Sequence, residues 1–168
     1  MRRKKYMRTE VLTLLGTLLV GAFASSAYSA TSVCGAMVGC GSYTQAPDAR
    51  GMSLEIKLVP SNKPNEVLFA WIVRKHGDDT GDGINLIMKF QRDGSFVATQ
   101  ATNGSLYAAG ICRQMGCSYG ITPILQKDGT MLTQTGTFRF EDNKLEISIF
   151  APNLKDGDFT SKGTLTKR

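Results

Sequence analysis

The stretch Ile84-Asn85-Leu86-Ile87-Met88-Lys89-Phe90-Gln91-Arg92-Asp93-Gly94-Ser95-Phe96-Val97 decides how this chain folds. Ile84, Leu86, Met88 and Phe90 alternate with Asn85, Lys89 and Gln91, the period of two expected of a strand with one buried face. The alternation stops at Arg92-Asp93-Gly94. Asp-Gly between alternating runs predicts a hairpin, because the turn needs a positive φ that glycine adopts without steric cost.

The same signals recur in both directions along the chain. Upstream, Leu54, Ile56 and Leu58 alternate with Ser53, Glu55 and Lys57. Val67 to Val73, with Trp71 inside, is an unbroken apolar run, as expected of a strand covered on both faces or crossing the middle of a barrel. Downstream, Asn103-Gly104, Lys127-Asp128-Gly129, Glu141-Asp142-Asn143 and Lys155-Asp156-Gly157 separate the runs 95–101, 105–112, 118–125, 130–140, 144–150 and 159–166. Leu106 to Met115 is the weak point, since Ala108 and Ala109 suit a short helix equally well. Gln91 to Val97 and Gln126 to Leu132 match in residue class at every position, 35 residues apart, an echo that two hairpins needing the same turn explain.

Eight or nine short strands joined by tight turns predict an all-β domain over residues 52–168. Such a meander must hide its edges, and closure into a small antiparallel β-barrel of calycin-like architecture does so at this length. A two-sheet β-sandwich is the alternative. Residues 28–51, small and Gly-rich, read as an irregular arm stapled down by its cysteines.

Of the 168 residues, 1–27 have the three parts of a secretory signal peptide: a basic start, an apolar run from Val11 to Ala24, and small residues with cleavage expected after Ala27. The apolar run of 14 residues is shorter than the roughly 20 that span a bilayer. The leader also carries most of the formal charge of +6. Arg2, Arg3, Lys4, Lys5 and Arg8 against Glu10 place +4 before Ala27, leaving +2 for the remainder. The basic balance therefore predicts no nucleic-acid partner, and polar outward faces predict no stable membrane insertion. The expected location is periplasmic or secreted.

Four cysteines, Cys34, Cys40, Cys112 and Cys117, follow the leader. An even set in an exported chain reads as two disulfides rather than as a zinc site, because thiolates there meet oxidants first. Four cysteines allow three connectivities. Crossed pairing, which would tie the arm to the barrel, is the slightly favoured expectation.

His76, the single histidine, opens the run Gly77-Asp78-Asp79-Thr80-Gly81-Asp82-Gly83. Asp78, Thr80 and Asp82 before Gly83 imitate the first half of a calcium loop, but Lys89 stands where the bidentate Glu should be, so no metal or cofactor is expected. His76, Asp78, Asp79, Asp82 and Trp71 are the candidate binding residues at the loop and its strand. A rigid, disulfide-stapled barrel without an evident catalytic set points to a non-enzymatic binding protein taking a small apolar ligand or a protein partner at the barrel mouth or loops. An accessory component of a bacterial envelope or secretion assembly, docking by an edge strand or by the arm, is the alternative. A hydrolase using His76 is a third expectation, for which the sequence points to no partner residue.

Overall fold

The computed structural model describes residues 33–49, 51–63, 65–75, 81–125, 129–154 and 157–168. The alternating runs become strands: β1 (Gly41–Gln45), β2 (Met52–Pro60), β3 (Glu66–Lys75), β4 (Asp82–Phe90), β5 (Ser95–Gln100), β6 (Leu106–Arg113), β7 (Gly116–Ile121), β8 (Ile124–Leu125), β9 (Met131–Leu132), β10 (Thr135–Glu141), β11 (Lys144–Leu154) and β12 (Gly157–Lys167). Ten of them close into an antiparallel barrel in which each strand pairs with its neighbour in sequence, save that β7 pairs directly with β10. β8 and β9 form a separate two-stranded ribbon in the β7–β10 connection. The barrel, not the sandwich, is the fold, with ten strands rather than eight or nine.

The additional strand comes from the segment read as an irregular arm. β1 pairs with β2 through Gly41↔Leu58 to Gln45↔Leu54 and with β12 through Tyr43↔Lys167. It is the stave that closes the barrel. Its alternation is too short to register in sequence, and only Tyr43 carries a large inward side chain, which is fully buried. The doubtful run 106–115 is a strand over most of its length, because its backbone groups are paired by β5 on one side and β7 on the other. Local helix propensity loses to two ladders of hydrogen bonds.

Strand β3 shows what the apolar run near Trp71 means. Val67 and Phe69 are buried, whereas Leu68 between them is 44% exposed. The strand is covered on its inner face only, and its outward apolar residues line up with others across the sheet: Val59↔Leu68, Leu68↔Ile87, Ile87↔Thr99 and Thr99↔Leu106.

The turns follow their sequence chemistry. Gly94 has φ +88°, and the Asp93 carboxylate accepts from the Ser95 backbone N–H at 2.9 Å and from its hydroxyl at 2.6 Å. Asn103 accepts the same two bonds from Ser105. The β6–β7 turn is different. Gln114 and Met115 have φ of 49° and 62°, a primed hairpin turn built without glycine.

Both disulfides are local: Cys34–Cys40 and Cys112–Cys117. The expectation of crossed pairing is corrected for a geometric reason. Cys112 and Cys117 are directly opposed in the β6–β7 register, and their Cα atoms lie 4.0 Å apart. Two cysteines brought face to face by the sheet bond to each other, and the arm does not need a covalent tie to the barrel wall. Instead, Val33 and Val38 are fully buried in the barrel core, Met37, Cys34 and Cys40 pack against it, and the Tyr43 hydroxyl donates to the Gly39 carbonyl at 3.0 Å. The segment 33–40 is an apolar plug in the end of the barrel that carries the Asp93-Gly94 and Gln114-Met115 turns.

Candidate functional site

With one end plugged, the described residues leave access to the interior along the barrel axis from the other end. Inward residues at the plugged end are large and fully packed, with Tyr43, Phe140, Leu145 and Leu165 buried together with the plug. Toward the opposite end two inward positions shrink, with Ala98 on β5 and Ala108 on β6. The result is a cavity of about 220 Å³ lined mainly by Phe69, Trp71, Leu86, Met88, Phe96 and Phe138, with Ile84, Ile121 and Ile149 nearer the mouth.

Three polar side chains enter this apolar lining besides the Trp71 indole: Tyr107, Tyr119 and Gln134. Each is placed by a specific local feature of the sheet. The β5–β6 register slips between Ala98↔Ala108 and Thr99↔Leu106, which inserts Tyr107 as a bulge. A bulge puts two successive residues on one side of the sheet, so Tyr107 and Ala108 both line the cavity. Gln134 is the last residue before β10, held because its carbonyl accepts from the Ile121 N–H at 2.9 Å, while the Thr122 N–H donates to the Tyr107 carbonyl at 2.7 Å. Tyr119 stands between two glycines in register, Gly110 on β6 and Gly136 on β10. Its ring stacks on Phe138, with centroids 5.1 Å apart and planes at 19°.

The Gln134 amide donates to the Tyr119 hydroxyl at 3.2 Å. Burial pushes the Tyr119 hydroxyl above its ordinary value near 10, with the Gln134 hydrogen bond opposing that shift. Tyr107 is raised by burial as well. Both are therefore neutral donors at physiological pH. The β8–β9 ribbon stands next to this site: Ile124 and Leu132, paired with each other, pack against the core, while Leu125 and Met131 on its other face are 68% and 48% exposed.

Of the two candidate binding residues that are described, Trp71 and Asp82, the structure brings Trp71 to the cavity. Asp82 begins β4, exposed and outside the lining. His76, Asp78 and Asp79 lie outside the described residues. Among the described residues, no group of three His, Cys, Asp or Glu side chains is gathered where it could hold a metal ion. The Gly-x-Ser-x-Gly pattern of a nucleophile elbow, expected to be absent, is present at Gly116-Cys117-Ser118-Tyr119-Gly120. Ser118 is instead an exposed residue in the middle of β7, not at a strand-to-helix turn.

The residues missed by sequence reasoning are Tyr107, Tyr119 and Gln134. Alternation in β7 could have placed Tyr119 inward beside Cys117 and Ile121. The other two depend on a bulge and on a strand boundary, neither of which leaves a local pattern.

Outside the cavity, one charged cluster stands on the barrel wall. The Glu55 carboxylate accepts from Arg74 at 2.5 Å and from the Ser42 hydroxyl at 3.0 Å, and Lys57 lies 3.1 Å away. Burial pushes this carboxyl up, but the hydrogen bonds from Arg74, Lys57 and Ser42 outweigh it and hold Glu55 at about 2.

The fold and cavity together define a closed antiparallel barrel with an apolar interior, plugged at one end. Comparison with protein-family models, curated proteins and solved structures finds no match for the chain. No helix among the described residues is long and apolar enough to cross a membrane.

Proposed function

We propose that this chain is an exported, non-enzymatic binding protein that takes a small, largely apolar ligand into the open end of the barrel. The observation that carries this reading is the 220 Å³ cavity and its lining. Eight strands enclose an interior that side chains just fill or that holds one small ligand, and the ten strands here enclose a wider one. Here Ala98 and Ala108 stand at inward positions where a filled core would carry larger residues. An apolar cavity of about 150 Å³ holds benzene, so this one suits a ligand about half as large again.

The lining supports binding rather than turnover. Its described side chains are hydrocarbon, one thioether, two phenols, an indole and an amide, and none of them is a nucleophile paired with a base. The two disulfides are at home in an oxidising compartment. With the leader ending at Ala27, they support a periplasmic or secreted location. Intact mass of exported protein should show the leader removed near Ala27 and no added acyl group.

Trp71 is the single tryptophan and lines the cavity, so its emission reports occupancy. Titrating the protein with cumene should shift Trp71 emission saturably. Ala108→Phe, which fills the cavity, should abolish the shift while leaving the strand circular dichroism intact. A cumene response that survives Ala108→Phe would refute the reading.

For the assembly reading, the free strand edges among the described residues belong to the two-stranded β8–β9 ribbon. The closed barrel has no unpaired edge strand among the described residues, and the arm from Val33 to Cys40 is packed into the core. What favours it is the outward apolar row Val59, Leu68, Ile87 and Leu106, in which three residues exceed 40% exposure. A stable complex recovered from the native envelope, lost with Leu68→Glu, would move the balance to that reading.

A further inference from the structure

The cavity's electrostatics narrow the class of ligand. Among the described residues that line it there is no Asp, Glu, Lys, Arg or His. A carboxylate or ammonium group drawn among these side chains would lose its hydration without gaining an opposite charge from them, which is prohibitive for an ion. Yet the cavity is not uniformly apolar, because it contains the Tyr119 hydroxyl.

That hydroxyl has a specific hydrogen-bonding state. It accepts from the Gln134 amide at 3.2 Å, and a phenol that accepts one bond still has its own proton to donate. The side chain is held in place from several directions. Its ring stacks on Phe138, and the hydroxyl occupies the space above Gly136, where a Cβ would come within 2.5 Å of it. The Gln134 backbone is fixed in turn by its bond from Ile121. A donor oriented by stacking, by a glycine and by a second side chain is preorganised to recognise an acceptor.

We infer that the ligand is an uncharged molecule with an apolar body and one hydrogen-bond acceptor, of the ketone, ester or ether class, and that Tyr119 reads the acceptor while Gln134 positions Tyr119. This rests on the cavity being the binding site. It adds a prediction that the site reading does not make: discrimination among ligands of one shape.

Cumene, acetophenone and benzoate share one branched skeleton and differ in carrying no acceptor, a neutral acceptor and a charge. Calorimetric titration of the full exported protein at pH 8 should show acetophenone binding at least about a hundredfold more tightly than benzoate, the penalty for an unpaired buried charge. Tyr119→Phe should weaken acetophenone by about tenfold, the worth of one neutral hydrogen bond, and leave cumene within about twofold. Gln134→Leu should weaken acetophenone less than Tyr119→Phe does, again sparing cumene. The comparison across ligands separates recognition from any general loosening of the barrel, since loosening would weaken cumene equally.

Benzoate binding as tightly as acetophenone, or Tyr119→Phe weakening all three alike, would overturn the inference while leaving the cavity as the site. Failure of cumene and acetophenone alike to bind the wild-type protein would overturn both.

Discussion

The hydroxyl of Tyr119 stands over Gly136, its direct partner across β7 and β10, in space that any side chain at 136 would need. A large inward residue on one strand is accommodated by the absence of a side chain on the next, and the same arrangement holds between Phe96 and Gly110. Aromatic rings laid over glycines fill the barrel wall while keeping the interior open.

Gly136→Ala should therefore destabilise the protein by about 1–3 kcal/mol and displace Tyr119 from Phe138. Thermal unfolding and the near-ultraviolet circular dichroism of tyrosine measure both. Gly120→Ala is the control, because a Cβ there meets nothing closer than 4.0 Å. Equal losses at the two positions would mean that strand propensity, rather than the Tyr119 contact, sets the cost.

Glu55 makes stability depend on acid. Its carboxyl sits at about 2 in the folded chain against an ordinary value of 4.5, so the stabilisation from Arg74, Lys57 and Ser42 is complete above pH 4.5 and disappears as pH falls toward 2. The unfolding free energy should drop across that window by about 2 kcal/mol, after allowance for the partly exposed Arg74 partner. In Glu55→Gln the drop should shrink and stability at pH 7 should be lower by a similar amount. Denaturant titrations at pH 7, 4 and 2.5 test this, and an unchanged slope in the variant would assign the acid sensitivity elsewhere.

The β6–β7 hairpin holds two non-glycine residues in the left-handed region, Gln114 and Met115, beside a disulfide that closes only a short loop. Removing that disulfide as Cys112→Ala with Cys117→Ala should cost about 2 kcal/mol, less than a cross-link spanning the chain would contribute. Gln114→Asn should stabilise by up to about 1 kcal/mol, since asparagine tolerates this backbone better than glutamine. Chemical denaturation of both variants checks the pair of signs.

The two ends of the barrel should respond differently to truncation. Leu145 and Leu165 face each other across β11 and β12 and are both fully buried at the plugged end. Leu165→Ala should cost about 3–5 kcal/mol, because the packed surroundings cannot collapse around the void. Ile149→Ala, on the cavity wall, should cost about 2 kcal/mol or less, because the residue already borders open space. Similar losses at both positions would contradict the division into a packed end and an open end.

The amino-acid sequence alone determined the class of the fold, because period-two alternation and turn chemistry are local signals. Ile84 to Val97 reads as a hairpin from its own residues, and Leu145, Ile147 and Ile149 reveal which face of β11 is inward. The two disulfides were legible as a pair for the same reason, through cysteine number and an exported context. The tertiary structure decided what depends on register between strands far apart in sequence. Cys112 bonds Cys117 because the sheet sets them opposite one another. The Gly-rich arm supplies both the closing strand and the plug because pairing of β1 with β2 and β12 carries the preceding residues, Val33 and Val38 among them, onto the core at that end. Tyr107, Tyr119 and Gln134 meet at one cavity only once a bulge, two glycines and the base of the ribbon are aligned around a closed circle of strands. Sequence separation hides such neighbours, and closure of the barrel brings them together.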